Sequence, residues 1–175
     1  VKHAVIRDES LFDFLESDAD AILRLEPAVI AELVRRNVAI KAAVVAADER
    51  ESGVRAHLNL GHTFAHAVEA TTGYGPIQHG EAVALGLVAA CEAAARHGLC
   101  GPELVTRVRS LLTRLGLQVR ADLAADDVLL AAMRLDKKVQ DARIRFVLPT
   151  RIGEVVIRDD LDADTISAAW AAIRG

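Results

Sequence analysis

Between Arg55 and Glu81 the chain places polar groups where the interior of a helix should be apolar. Arg55, Asn59, His62 and His66 fall at i, i+4, i+7 and i+11, one face of a 3.6-residue period. Leu58, Leu60, Phe64 and Ala65 occupy positions between them, and Val68 follows. Burying such groups without partners costs about 1–3 kcal/mol each, so a stripe like this usually faces a partner, although a four-residue histidine pair alone is more often a surface pair or two satisfied core histidines. A metal ion and an anionic substrate are the ligands these groups suit. His62 and His66 are four apart and can point to one side of a helix. Zinc favours imidazole nitrogen, and a catalytic zinc usually keeps one of four positions open. His79 stands at a predicted helix start, where the dipole favours the neutral imidazole that binds metal. Spacing favours His62 with His66 but does not fix which two of the three histidines bind. Nor does it choose between Glu69 and Glu81 as a completing carboxylate. Of the other histidines, His57 falls off the stripe and reads as solvated, His97 sits near a helix C-terminus, and His3 reads as a spacer.

Cations form a second constellation. Lys41 interrupts the apolar segment from Val38 to Val45, so it either snorkels to solvent or joins Arg55 at a pocket. Lys2 is either a frayed charge or a site residue. Lys137 and Lys138 precede a predicted hairpin and read as a solvated pair by default. Together with Arg55 these lysines suit a carboxylate and a phosphate. The chain holds no GxGxxG or GxxxxGK loop, so no complete nucleotide site lies within it.

The elements that must position these groups are mostly helical. Asp8 or Ser10 caps a short helix bearing Leu11, Phe12, Phe14 and Leu15, and a second short stretch runs from Asp20 to Leu25. Pro27 opens a long helix reaching Val45, and the acidic run from Asp48 to Gly53 reads as a solvated turn. The spacing predicts one motif helix from about Val54 to Thr72, ended by the Gly73 to Pro76 segment. A further helix runs from His79 or Gly80 to His97, with Gly98 following as its left-handed residue. Two more helices span Glu103 to Leu115 and Asp126 to Lys138. From Arg143 to Arg158 the alternation of Ile144, Phe146 and Leu148 with Arg145 and Val147 predicts a β-hairpin. A last helix covers Ala163 to Ile173, with Asp162 or Asp164 near its start. The expected fold is mainly α, a multi-helix domain with a small β-hairpin near residues 143–158.

Composition agrees. The chain has 175 residues, enough for one domain with a real core, and 52% of them are apolar against 3% aromatic. Such an alanine-rich content favours close-packed helices. A net charge of −4 gives no basic footprint for nucleic acid. The longest apolar run, Ala82 to Cys91, falls well short of a membrane span, and no signal peptide is visible. Cys91 and Cys100 lack metal or redox spacing and suit a reducing, cytoplasmic setting. The start without methionine suggests a longer protein.

Taken together, the segments resemble 3-dehydroquinate synthase. The resemblance rests on Arg55, Leu58, Asn59, Gly61, His62, Thr63, Phe64, His66, Ala67 and Glu69, followed by His79-Gly80-Glu81-Ala82-Val83-Ala84 and Gly86. Lys2-His3, Lys41, the Asp48 to Gly53 turn, Asp136-Lys137-Lys138 and Ile144 to Pro149 also fit. It covers nearly the whole chain and matches the C-terminal, helical, metal-bearing half of that enzyme. The Asp141-Ala142 pair departs from the glycine common there and touches no proposed catalytic group.

The resemblance implies residues 1–175 as a metal- and substrate-binding domain, with an NAD-binding domain upstream and absent from this chain. It makes His62 and His79 the metal ligands, correcting the pair that spacing favours, and gives His66 a part in proton movement. Lys2 and Asn59 join His66 as catalytic candidates. Lys41, Arg55, Asn59, Lys2, His66 and Lys137 (rather than Lys138) bind a sugar-acid phosphate. The third ligand is a glutamate three residues before the lysine that Lys2 matches, upstream of Val1. The implied cofactors are NAD and Zn2+ or Co2+, and the full-length protein is expected to be a homodimer. The implied reaction converts 3-deoxy-D-arabino-heptulosonate 7-phosphate to 3-dehydroquinate and phosphate, in the shikimate pathway. It proceeds by transient oxidation, elimination, reduction and intramolecular aldol closure. The rival readings are a related sugar-phosphate cyclase of secondary metabolism, and an isolated domain without turnover of its own. A polyol dehydrogenase needs fewer anion contacts than this chain offers.

Overall fold

Proline, aspartate and glutamine side chains set where the helices begin. A computed structural model of the chain describes residues 1–48, 53–73, 77–136 and 143–175. Helix α1 spans Lys2–Arg7, α2 Glu9–Ser17, α3 Ala19–Leu23 and α4 Pro27–Ala47. A 3-10 helix, Val54–Asn59, leads to α5 His62–Thr72, α6 His79–Arg96, α7 Pro102–Arg114 and α8 Asp126–Asp136. Strands β1 Phe146–Arg151 and β2 Glu154–Arg158 pair antiparallel before α9 Ala163–Ile173. The mainly helical fold with one small hairpin is therefore as expected. Among the described residues, no helix is long and apolar enough to cross a membrane.

Several starts follow the sequence. Asp8 caps α2 through the Leu11 amide at 2.9 Å, and Asp162 caps α9 through Thr165 at 2.8 Å. Pro27 and Pro102 open α4 and α7. Gln78 caps α6 in a reciprocal box with Glu81, whose carboxylate accepts from the Gln78 amide at 2.9 Å. Gly98 follows α6 in the left-handed region at φ +76°.

Lys2-His3 forms the first turn of α1, a helix too short to leave a periodic signal, which removes the frayed-end alternative for Lys2. One expectation fails: the single motif helix from Val54 to Thr72 is broken. Gly61 takes φ +79°, a left-handed value costly for any residue with a Cβ, and separates the 3-10 helix from α5. Arg55 and Asn59 thus lie on a different element from His62 and His66. A smaller difference is that the second short helix starts at Ala19 and stops at Leu23, with Leu25 at φ +56°.

Helix α6 is the spine. It is apolar nearly all round, and α5, α7, α9 and β1 pack on it. Its small residues let α5 come close: a Cβ at Gly86 would overlap the Gly61 carbonyl oxygen and stand 3.0 Å from that carbonyl carbon. Behind α5, Phe64 packs edge-on to Trp170 of α9 with centroids 4.9 Å apart, and tilted against Phe146 of β1 at 5.5 Å. Trp170, Phe12 and Leu148 have no exposed surface. Cys91 is buried in the same core, where burial pushes its thiol up far from thiolate formation.

The cation-bearing elements pack together at one end. Helices α1 and α4 contact each other and the 3-10 helix. His3 Nδ1 meets Asn37 Oδ1 at 2.8 Å, so His3 pins α1 to α4 rather than serving as a spacer. Asp8 adds a second pin, accepting from Arg36 at 2.9 and 3.0 Å, with Ser10 also against the guanidinium. The hairpin turn is tied to α1 by the Gly153 amide donating to the Val5 carbonyl at 3.0 Å.

Candidate metal centre

Three imidazoles converge where α5 meets the start of α6. The His62 ring lies 5.5 Å from His66 and 5.5 Å from His79, centroid to centroid, and His66 lies 6.4 Å from His79. His62 opens α5 directly after Gly61; His66 follows one turn on; His79 is the first residue of α6, held out to solvent.

The hydrogen bonds assign the tautomers of two rings. His62 Nδ1 faces the Leu60 carbonyl at 3.2 Å, and a carbonyl can only accept, so Nδ1 carries the proton. Its Nε2 faces the Lys2 ammonium at 3.5 Å, and an ammonium can only donate, so Nε2 keeps its lone pair. His79 Nδ1 stands 2.9 Å from Glu69 Oε1 and donates to that carboxylate. Each ring therefore has its Nδ1 held by a protein acceptor, the outer hydrogen bond of a metal-bound histidine. The residues present fit a divalent ion with imidazole ligands.

Burial, then the Lys2 charge, lower the His62 pKa to about 4, with lesser help from His66 and His79 and against the opposing hydrogen bond to the Leu60 carbonyl. His62 is thus neutral across the physiological range, the form that binds metal. Burial and the nearby charge of Lys41 lower Lys2 to about 8. Among the described residues, no three His, Cys, Asp or Glu side chains converge tightly enough to hold an ion by themselves. The two carboxylates singled out by sequence both have other tasks: Glu69, buried, receives His79, and Glu81 closes the α6 capping box.

The remaining candidates are placed as follows. Lys2, half-buried on α1, touches the histidine cluster through His62 and lies close enough to Lys41 of α4 to feel its charge. Arg55 and Asn59 sit on the 3-10 helix that packs against α1 and α4, Arg55 half-buried and Asn59 exposed. The Arg55 amide and the Gly53 amide both donate to Asp48 Oδ2, at 3.0 and 2.7 Å, which anchors this helix to the end of α4. His66 also borders a groove of about 610 Å³ between α5 and α8, lined by Ala70, Thr71, Val128 and Leu135. Lys137, Lys138 and the Asp141-Ala142 pair lie outside the described residues. His57 is half-buried rather than solvated, and burial with the charge of Arg7 lowers its pKa. What sequence reasoning missed is the pairing of Glu69 with His79, because the turn that returns the chain from α5 to α6 leaves no periodic mark.

The sequence matches the family described as 3-dehydroquinate synthase C-terminal over residues 1–139. A 3-dehydroquinate synthase from Nitrosospira multiformis is 45% identical over 163 residues, covering 93% of this chain and 44% of that protein. The structure of ValA, a 2-epi-5-epi-valiolone synthase from Streptomyces hygroscopicus subsp. jinggangensis with NAD+ and Zn2+ bound, matches with a TM-score of 0.87 at 28% identity. That match covers 98% of this chain and 48% of the other. A 2-deoxy-scyllo-inosose synthase complexed with carbaglucose-6-phosphate, NAD+ and Co2+ shares the fold, with a TM-score of 0.76 at 23% identity, covering 91% and 45%. The chain spans less than half the length of the relatives it matches.

Proposed function

This chain belongs to the 3-dehydroquinate synthase family through its C-terminal domain, and we propose that the protein carrying it converts 3-deoxy-D-arabino-heptulosonate 7-phosphate to 3-dehydroquinate and phosphate. The observation that carries the reading is the pair of outer hydrogen bonds: His62 Nδ1 faces the Leu60 carbonyl and His79 Nδ1 faces Glu69, with the two rings 5.5 Å apart and Lys2 beside His62. His62 and His79 would hold a divalent ion, Zn2+ or Co2+, and a glutamate upstream of this chain would complete the set. When bound, the ion supplies Lewis acidity to a substrate oxygen, and NAD, held by an upstream domain, takes and returns hydride.

The rest is work for this chain's own side chains. Half-buried Lys2 feels the charge of exposed Lys41, a repulsion that an anionic substrate relieves. Arg55, with its fork of donors, suits the carboxylate, and Lys41 and Lys137 suit carboxylate or phosphate as point charges. Asn59 serves a hydroxyl as both donor and acceptor. His66, next to the ligand pair but not required by it, holds or passes a proton at the substrate. The reading places the protein in aromatic amino-acid biosynthesis, acting in the cytoplasm as a homodimer.

A second reading is favoured by the TM-score of 0.87 to a valiolone synthase: the parent acts as a related sugar-phosphate cyclase. The higher identity to a 3-dehydroquinate synthase argues for the first. The test is turnover of the heptulosonate phosphate by the full-length protein with NAD, before and after chelation and zinc return. Product that disappears with chelation and returns with zinc supports the proposal. A folded, zinc-loaded protein that makes no dehydroquinate but cyclises another sugar phosphate establishes the second reading.

A further inference from the structure

Glu69 is a buried carboxylate eight positions into α5, on the turn after His66, and only 10% of its side chain is exposed. Its Oε1 lies 2.9 Å from Nδ1 of His79, whose own side chain is 62% exposed. A carboxylate this deep is costly to bury unless it is bonded. The fold accepts that cost in order to reach an imidazole that is itself mostly in water. A solvated neutral imidazole prefers its proton on Nε2, the nitrogen a metal would need. An acceptor fixed on the Nδ1 side reverses that preference.

We propose that Glu69 is a positioning residue: by accepting the Nδ1 proton of His79, it holds that imidazole in the tautomer and orientation that present Nε2 to the ion. The inference rests on the reading of His79 as a metal ligand, and it assigns Glu69 outside the ligand set. Helix α5 therefore contributes to the centre twice, directly through His62 and indirectly through Glu69 acting on α6. His62 has its counterpart in the Leu60 carbonyl, a neutral acceptor where His79 has a charged one. The charged acceptor sits behind the more exposed of the two rings.

The test is a double-mutant cycle on Co2+ affinity in the full-length protein, measured by competition with a chromophoric chelator. Thermal unfolding of each variant is followed in parallel. Glu69→Ala should weaken Co2+ binding by about 10- to 100-fold, the range for removing such an outer partner. Glu69→Gln keeps an acceptor oxygen and the volume, so it should fold and lose only part of that affinity. In the His79→Ala background, Glu69→Ala should have no further effect on affinity, whatever it does to stability. In metal-free protein, nitrogen-15 shifts of His79 should report the Nδ1–H tautomer, and Glu69→Ala should move population to Nε2–H. Unchanged affinity in both Glu69 variants would overturn the proposal while leaving the ligand reading intact. An equal loss with and without His79 would also overturn it, because Glu69 would then act as a ligand itself or through the fold. Full affinity in His79→Ala alone would remove the ligand reading and the proposal with it.

Discussion

Replacing Gly86 with alanine tests how the helix crossing serves the metal centre. Alanine is the better helix former, by about 0.8–1.0 kcal/mol in a helix interior, so propensity alone predicts stabilisation. The crossing predicts the opposite. A Cβ at Gly86 would overlap the Gly61 carbonyl oxygen and stand 3.0 Å from its carbon and 3.1 Å from the Ala65 nitrogen. Carbon atoms in contact prefer about 3.5–4.0 Å, so α5 and α6 must part by at least about 0.5 Å. All three obstructing atoms are backbone, and no rotamer change clears them. Overpacking of this kind costs about 1–3 kcal/mol, which outweighs the propensity gain at its upper range. The functional consequence is sharper. His62 stands at the start of α5 and His79 at the start of α6, and metal–ligand distances hold to about 0.2 Å. Gly86→Ala in the full-length protein should therefore lower stability by about 1–2 kcal/mol in urea unfolding, and lower Co2+ affinity by about tenfold or more. A variant more stable than the wild type, with unchanged metal affinity, would refute the argument.

Other expectations concern separate parts of the molecule. His62→Ala and His79→Ala should each abolish turnover and lose their metal on purification, binding added Co2+ only weakly, whereas His66→Ala should keep the metal and slow turnover; metal analysis of the purified variants decides, and metal loss in His66→Ala would restore it as a ligand. Arg55→Lys, which loses the bidentate fork, should raise KM for the heptulosonate phosphate about tenfold or more, and an unchanged KM would remove Arg55 from the substrate site. Asp8→Ala should cost about 2 kcal/mol at pH 7, from the lost α2 cap and the Arg36 pair. Burial raises the Asp8 pKa, but Ser10, the Leu11 amide and Arg36 together outweigh it, so the folded value lies below the unfolded one. Its stabilisation is then complete above the unfolded value near about 4 and lost as pH falls through the folded one. The gap between wild type and Asp8→Ala should narrow towards pH 3 in urea unfolding, and a constant gap would contradict the assignment.

Much of this arrangement was legible from residue order. Caps and first-turn prolines at Asp8, Pro27 and Asp162 act within a few residues, so spacing reveals them. The hairpin announced itself by alternation, and His62 with His66 by their four-residue interval. The break at Gly61 was not legible, because Arg55, Asn59, His62 and His66 keep helical spacing across it. What the break meets lies 25 positions away: a Cβ at Gly61 would stand 3.0 Å from the Gly86 carbonyl carbon, a contact sequence spacing does not reveal. The same holds for Glu69: its position on α5 is readable, but its bond to His79 depends on where the chain returns. Periodicity likewise could not link Lys2 to the site, since α1 is too short to show it and meets His62 through tertiary packing.

The aromatic stack behind α5 has an optical consequence. Trp170 is the chain's one tryptophan, and its ring is sealed from water, edge-on to Phe64. Phe64 lies midway between His62 and His66 along the same helix. The indole emission of this domain therefore originates on the far side of the helix that carries two of the three imidazoles. Its wavelength reports whether that helix is seated against α9, and loss of the seating exposes the ring and shifts emission to the red. A label-free gauge of the centre's scaffold is thus already built into the core.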